Sequence, residues 1–177
     1  VLRKDWGGQP HWEPDEQGKV RNNDYFGGTL KGIKEKLPYL NDLGVTILYL
    51  NPIFEAHSNH RYNTADYMKI DPMLGTEEDF KDLCQTAENY GIKIILDGVF
   101  SHTGSDSIYF NREKRYPDNG AYNNPNSPYK DWFTFKSDGT YKSWWGIDTL
   151  PETNESTPSF IEYIAGKNGV CEKWLNA

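Results

Sequence analysis

The sequence is poor in three features, each of which would point to a particular class of protein. Its two cysteines, Cys84 and Cys171, are too few for a disulfide framework, and we expect them to be buried thiols. No apolar run approaches the roughly 20 residues that a membrane-spanning helix needs. Basic residues are in the minority, with 19 Lys and Arg against 26 Asp and Glu and a formal net charge of −7. That balance argues against nucleic acids and anionic membranes as partners.

Aromatic residues are abundant by contrast. Phe, Trp and Tyr make up 15% of the chain, and charged residues make up 25%. Sugar sites combine these two classes, because aromatic faces stack on pyranose rings while polar groups bond the hydroxyls. The composition is therefore compatible with a carbohydrate site.

Two apolar segments predict strands with a helix between them. Residues 45–50 and 92–97 are apolar runs bounded by turn residues, the pattern of strands buried on both faces. Between them, Thr76 predicts a helix N-cap, Asp79 completes a capping-box variant, and Gly91 ends the helix. The order predicts a βαβ unit with parallel strands.

Titratable side chains follow the second of these strands. Asp97 ends its apolar run, and His102 comes five residues later. Barrels and open α/β sheets place their chemistry at the C-terminal ends of parallel strands. An aspartate that merely caps a turn is the plain alternative, and this segment alone leaves both open.

The remaining chain predicts two helical segments and one long irregular stretch. Residues 30–43 form an amphipathic helix that Pro38 kinks and Gly44 ends, and a last helical segment starts at Thr157. Residues 103–155 show no period but contain eleven aromatics. Most of these we expect to form a small core of that stretch. The helix 30–43 is predicted to bury one stripe, made of Leu30, Ile33, Leu37, Leu40 and Leu43.

Five segments resemble, in order and spacing, motifs of the α-amylase family of glycoside hydrolases, the neopullulanase and cyclomaltodextrinase branch above all. They are 51–54, 60–67, 71–76, 96–104 and 150–154. The resemblance implies an α/β fold, a partial (β/α)8 TIM barrel with a long aromatic-rich insertion after the third strand. It also implies retaining hydrolysis of α-1,4 or α-1,6 bonds in starch, pullulan or cyclodextrins, by two carboxyl groups about 5–5.5 Å apart.

The catalytic carboxylates that the resemblance implies have no match in this chain. The family's nucleophile lies on the fourth strand in a Gly-Phe-Arg-x-Asp-like motif, whereas residues 173–177 resemble the end of the preceding helix, and residues 1–6 resemble the segment after the first strand. A whole barrel takes about 250 residues. We therefore predict a fragment, inactive alone and without catalytic residues. It comprises strands two and three with their helices (1–102), a domain-B-like insertion (103–155) and the helix before the missing fourth strand (156–177).

The resemblance assigns substrate contacts to five positions. His102 would donate to sugar hydroxyls, and Tyr62 would stack on the sugar ring at the cleaved bond. Asp97 would brace an arginine that this chain lacks, so we expect it to be unpaired or paired differently. Trp144 and Trp145 are candidates for ligand contact. The alternatives are a His102 satisfied by the backbone, a Tyr62 that is only a surface residue, and tryptophans that pack in the insertion.

No cofactor and no metal site are predicted. Ser101 stands where the family usually has an asparagine that binds structural calcium in many members, and a hydroxyl is a poorer ligand for that ion. Calcium thus stays possible in the parent and doubtful here. The expected partner is an α-glucan oligosaccharide, with neither nucleic acid nor membrane. Because two parallel strands without neighbours expose edges and apolar faces, we also expect self-association. The compartment is not indicated.

Two other functions fit the same motifs. One is a non-catalytic carbohydrate-binding or interaction module that kept an amylase-like fold. The other is a transglycosylase, which would use the same carboxylates. Sequence beyond Ala177 carrying an Arg-x-Asp motif and later Glu and Asp motifs would exclude the first, and product analysis of the whole protein would separate the second.

Overall fold

The computed structural model describes residues 12–18, 24–117 and 119–177, so the comparison made for residues 1–6 lies outside the described residues. Within those ranges, no helix has the length and apolar character needed to cross a membrane. The helices are α1 (Leu30–Asp42), α2 (Glu77–Asn89), α3 (Pro158–Ala165) and α4 (Val170–Leu175). The strands are β1 (Ile47–Leu50), β2 (Phe54–Ala56), β3 (Thr64–Ile70) and β4 (Lys93–Leu96).

The predicted βαβ unit is confirmed. β1 and β4 pair in parallel, with Ile47 opposite Lys93 and Leu50 opposite Leu96, and α2 forms the crossover between them. The helix begins and ends as predicted. The Thr76 hydroxyl accepts from the Asp79 amide at 3.1 Å and Asp79 Oδ2 accepts from the Thr76 amide at 2.9 Å, which completes a capping box. These contacts define the N-terminal end of α2.

The prediction that both strands are buried on both faces is wrong. One face of the β1–β4 sheet packs on the core through half-buried side chains, whereas the other carries exposed apolar residues. The exposed residues are Ile47, Tyr49 and Ile95. The physical reason is that, among the residues that the structure describes, helices pack on only one face of this sheet. The apolar stripe of α1 differs from the prediction at its C-terminal end. Leu30 and Leu37 are buried, whereas Leu43 lies beyond the last residue of α1 and is exposed.

A hairpin lies between β1 and α2. β2 and β3 pair antiparallel with irregular register, and they are covered on both sides along most of their length. The connection between them carries a buried ion pair between Arg61 and Asp71. Asp71 Oδ2 also accepts from the Ala56 amide at 3.2 Å. The ion pair therefore ties the loop to both ends of the hairpin.

The aromatics of residues 103–155 pack largely against one another, as predicted. Phe110 is fully buried and contacts Phe133 and Tyr141, with ring centroids 4.8 and 4.6 Å apart.

This core is continuous with that of β3 and α3. Tyr109 is fully buried and stacks on Tyr67 of β3, with ring centroids 5.4 Å apart. Trp132 packs edge-on against Phe160 of α3 at 5.0 Å. The core of the insertion is therefore joined to those two elements through Tyr109 and Trp132.

The last segment folds as two short helices, and side chains of α4 donate hydrogen bonds to the backbone of β3. The Trp174 Nε1–H donates to the Tyr67 carbonyl at 2.8 Å, and the Lys173 ammonium donates to the Met68 carbonyl at 2.8 Å. Lys173 also pairs with Glu77 at the start of α2, at 2.9 Å. Three elements distant in sequence are joined by these contacts.

Candidate functional site at the ends of the parallel strands

Asp97 directly follows β4 and accepts a hydrogen bond from a tyrosine hydroxyl. Its backbone amide donates to the Leu50 carbonyl at 3.2 Å, which places it at the C-terminal end of both parallel strands. Asp97 Oδ2 accepts from the Tyr62 hydroxyl at 2.8 Å, and the carboxylate also interacts electrostatically with Tyr49. The hydrogen bond to Asp97 raises the pKa of Tyr62, while partial desolvation and the charge of Asp97 together raise the pKa of Tyr49. Both tyrosines therefore stay protonated.

No ion pair joins Asp97 to an arginine among the residues that the structure describes. The expectation that Asp97 is unpaired or paired differently is confirmed in its second form, with a phenol hydroxyl in place of a guanidinium. Asp97 is half-buried rather than enclosed, and a neutral donor satisfies it without an opposite charge.

Tyr62 is held at three points while part of its ring faces solvent. Besides the hydroxyl, its amide donates to His60 Nδ1 at 3.1 Å, and its carbonyl accepts from His102 Nε2 at 3.0 Å. The preceding residue, Arg61, has a φ of 69° and is buried. A left-handed conformation is unusual for a side chain of this size. Tyr62 nevertheless keeps 36% of its surface exposed, so the loop presents a fixed aromatic ring.

His102 is 5% exposed, and both of its ring nitrogens have partners in the chain. A carbonyl can only accept, so the 3.0 Å contact with the Tyr62 carbonyl places the proton on Nε2. Nδ1 then accepts from the Ser101 hydroxyl at 3.1 Å. Burial, the largest influence, lowers the pKa of His102, which keeps the ring neutral. In this arrangement a sugar hydroxyl can take the Nε2 donor only by replacing the Tyr62 carbonyl.

The two adjacent tryptophans lie beside the ring of His102. The Trp144 ring contacts the imidazole, with centroids 5.2 Å apart, and Trp145 stacks on Trp144 at 5.0 Å with 13° between the planes. Both tryptophans and Ser101 line an open cleft of about 540 Å³. The predicted residues thus form one connected group, in which Trp145 is the outermost member and does not touch Asp97, Tyr62 or His102 through any described contact.

Tyr49 belongs to this group, and the sequence reasoning missed it. It sits inside an apolar run, where an aromatic side chain is ordinarily a core residue. The signal that could have found it is strand alternation. Tyr49 lies one residue before the end of β1 and points to the same face as Ile47, the face that carries no helix.

The Ser101 hydroxyl has a partner within the chain, His102 Nδ1, at 3.1 Å. Across the described ranges, no cluster of three or more histidine, cysteine, aspartate or glutamate side chains could hold a metal.

Comparison with known proteins identifies the family. A family model described as "Alpha amylase, catalytic domain" matches residues 10–172. The chain belongs to the α-amylase family. The resemblance inferred from the five motifs is confirmed, and so is the fold class. β1, α2 and β4 form part of the (β/α)8 barrel of this glycoside hydrolase family, and the described residues form no closed barrel.

The curated relatives that match are much longer than this chain. An amylopullulanase from Thermoanaerobacterium saccharolyticum is 50% identical over 195 residues, which cover 99% of this chain and 15% of the relative. Neopullulanase 2 from Thermoactinomyces vulgaris is 36% identical over 165 residues, or 89% of this chain and 27% of the relative. Among solved structures, the type III pullulan hydrolase from Thermococcus kodakarensis matches with a TM-score of 0.74 and 37% identity, over 86% of this chain and 26% of that chain.

Proposed function

We propose that this chain is the sugar-binding part of a retaining α-glucan hydrolase that acts on α-1,4 or α-1,6 bonds of starch, pullulan or cyclodextrins. Its own residues would bind the glucan without cleaving it. The observation that carries the proposal is the exposed Tyr62 ring, which a hydrogen bond to Asp97 fixes at the C-terminal end of two parallel strands. The amylopullulanase, the neopullulanase and the pullulan hydrolase named above support pullulan as one substrate.

The chemistry of the group suits a neutral, hydroxyl-rich ligand. The Tyr62 face offers an apolar plane for the C–H side of a pyranose ring, and the phenol–carboxylate pair keeps that plane from rotating. His102 contributes a neutral donor that can pass from the Tyr62 carbonyl to a sugar hydroxyl. The ring of Trp144 limits how far the imidazole can move.

Hydrolysis by this chain alone is not part of the proposal. Retaining cleavage needs a nucleophilic carboxylate and an acid at a separation of about 5–5.5 Å. The family's nucleophile motif has no match in the sequence, and the Asp97 carboxylate accepts a hydrogen bond from Tyr62.

Calorimetric titration of the chain with maltohexaose tests the binding. We expect saturable binding that Tyr62→Ala weakens about tenfold, and that Tyr62→Phe weakens less because the stacking face remains. Tyr39→Ala is the matched control, since Tyr39 is an exposed tyrosine on α1. Reducing-sugar release from pullulan, starch and cyclodextrins should not exceed the blank. Absence of binding would contradict the proposed glucan binding, and clear turnover would contradict the proposal that the chain does not cleave the glucan.

We also propose that the isolated chain self-associates. The support is the sheet face with the exposed residues Ile47, Tyr49 and Ile95, together with an edge of β4 that pairs with no other described strand and lies beside a groove of about 1160 Å³. A second copy is the occupant to which we commit, because an uncovered parallel edge can accept another strand.

A further inference from the structure

Arg61 combines a strained backbone with a buried charge. Its φ of 69° lies in the left-handed region, which bulky L side chains rarely adopt. Its guanidinium pairs with the Asp71 carboxylate, and the two side chains are 8% and 6% exposed. A buried ion pair of this kind seldom adds stability over well-packed apolar residues, because both charges lose their water. Strain of this kind persists where the surrounding structure imposes it, and Arg61 directly precedes Tyr62.

Asp71 is a fixed end for the ion pair. It follows β3 directly, and its amide donates to the Ile53 carbonyl at 2.9 Å. Its carboxylate accepts from the Ala56 amide at 3.2 Å through Oδ2 and from the Met73 amide at 2.9 Å through Oδ1. Because backbone amides hold both oxygens, the carboxylate stays in place on the hairpin. The guanidinium of Arg61 is therefore attracted to a stationary charge.

Arg61 also holds together the loop that contains Tyr62. Its amide donates to the Ser58 hydroxyl at 3.2 Å, and its NH1 group donates to the Ser58 carbonyl at 3.1 Å. The Ser58 hydroxyl in turn donates to Asn63 Oδ1, which closes residues 58–63 on themselves. The Arg61 side chain is on the buried side of this loop. The Tyr62 ring is on its exposed side, where its hydroxyl reaches Asp97 at 2.8 Å.

We propose that Arg61 is a positioning residue for Tyr62. Its ion pair with Asp71 holds the backbone at position 61 in the left-handed conformation, and this keeps the neighbouring ring where its hydroxyl meets Asp97. Without the pair, the backbone would return to the regions that non-glycine residues prefer, and the ring would turn away from Asp97. A guanidinium suits this role because it stays charged and donates in fixed directions. The inference rests on the proposed function, since the ring that Arg61 positions is the one proposed to stack on the glucan.

The ionisation of Tyr62 reports the position of its ring in the free chain. The hydrogen bond to Asp97 raises the pKa of the Tyr62 phenol. In chain labelled with carbon-13 at the tyrosine Cζ, NMR titration gives this pKa over the range in which circular dichroism shows folded protein. The absence of one signal from Tyr62→Phe assigns the resonance.

Arg61→Ala should lower the pKa of Tyr62 toward the ordinary tyrosine value of about 10, because the ring leaves Asp97. Arg61→Lys keeps a cation for Asp71 and should recover most of the shift. Leu37→Ala is the control for lost stability, since Leu37 is fully buried on α1, which packs against α2. That variant should leave the pKa of Tyr62 unchanged.

Calorimetric titration of the same variants with maltohexaose measures the consequence for the ligand. We expect Arg61→Ala to weaken binding about tenfold and Leu37→Ala to leave the affinity unchanged. The double variant Arg61→Ala/Tyr62→Ala should bind no more weakly than Tyr62→Ala, because both changes remove the same contact with the sugar.

The outcomes separate this inference from the proposed function. An unchanged pKa of Tyr62 in Arg61→Ala, or an equal fall in Leu37→Ala, would overturn the positioning role. A lowered pKa with unchanged affinity would support positioning and contradict the role of the Tyr62 ring in binding. A lowered pKa with no binding by the wild type would support positioning and overturn the proposed function. If Arg61→Ala does not fold, Asp71→Asn removes the partner's charge at nearly the same shape, and the same fall is expected.

Discussion

Asp97 illustrates how much of the site can be predicted from single residues. The motif spacing placed Asp97, Tyr62 and His102 near one another, and direct hydrogen bonds now connect them. Their roles as sugar contacts stay predictions. The pairing of Asp97 with tyrosines could not be predicted, because it depends on which face of β1 lacks a helix. The partners of His102 depend on the backbone of the loop before Tyr62, which no local pattern specifies.

His102 should make the stability of the chain depend on pH. Burial lowers its pKa in the folded state, so the stability contributed by the neutral ring is present above its unfolded pKa of about 6.5 and is lost as the pH falls below that value. In urea unfolding at pH values on either side of about 6.5, wild type should lose more stability toward acid than His102→Gln. An equal loss in both proteins would contradict this reading.

At the scale of elements, local chemistry predicted α2 well and the hairpin poorly. The capping box of α2 involves residues three apart, so the sequence alone contains its geometry. β3, by contrast, carries Asp66 and Lys69 among its apolar residues, and its partner β2 is three residues long with irregular register. That strand pairing is stabilised by contacts from Tyr109 and Trp174, far along the chain. Short polar strands of this kind are fixed by tertiary packing.

Thr76→Ala should destabilise the chain by about 1 kcal/mol, because it removes the N-cap acceptor of α2. Thr86→Ala on the same helix is the matched control. Thr86 is half-buried in the helix interior, and its hydroxyl donates to the Asp82 carbonyl at 2.7 Å. Alanine is the better helix former there, so that change should be neutral or slightly stabilising. Urea unfolding of both variants measures the difference. Equal free energies of unfolding for the two variants would show that the capping box adds nothing.

At the scale of the whole molecule, the parallel pairing was predictable and the burial was not. Strand order and crossover length fix a parallel sheet. Burial depends on which elements pack against each face of the sheet. The apolar runs of β1 and β4 predicted that both faces are buried, whereas only one face packs on the core. An apolar strand is suited to burial whether or not the chain itself covers it. The exposed apolar face with Ile47 and Ile95 is therefore a surface suited to association.

Light scattering at tens of micromolar should show a dimer or larger species, and Ile95→Lys should shift it toward monomer by placing a charge on the exposed sheet face. Ile161→Lys, at an exposed position of α3, is the matched control and should leave the assembly unchanged. A clean wild-type monomer would refute self-association, and equal effects of the two substitutions would place the contact elsewhere.

The bonds from α4 to β3 have a consequence for biosynthesis. Trp174 and Lys173 bind carbonyls of residues more than a hundred positions earlier. As the polypeptide leaves the ribosome, the β2–β3 hairpin must wait for these late side chains before its backbone acceptors are satisfied. Contacts of such long sequence separation slow folding. The nascent hairpin therefore lacks two of its stabilising bonds until α4 has been made, and loss of α4 by proteolysis would remove the same two bonds.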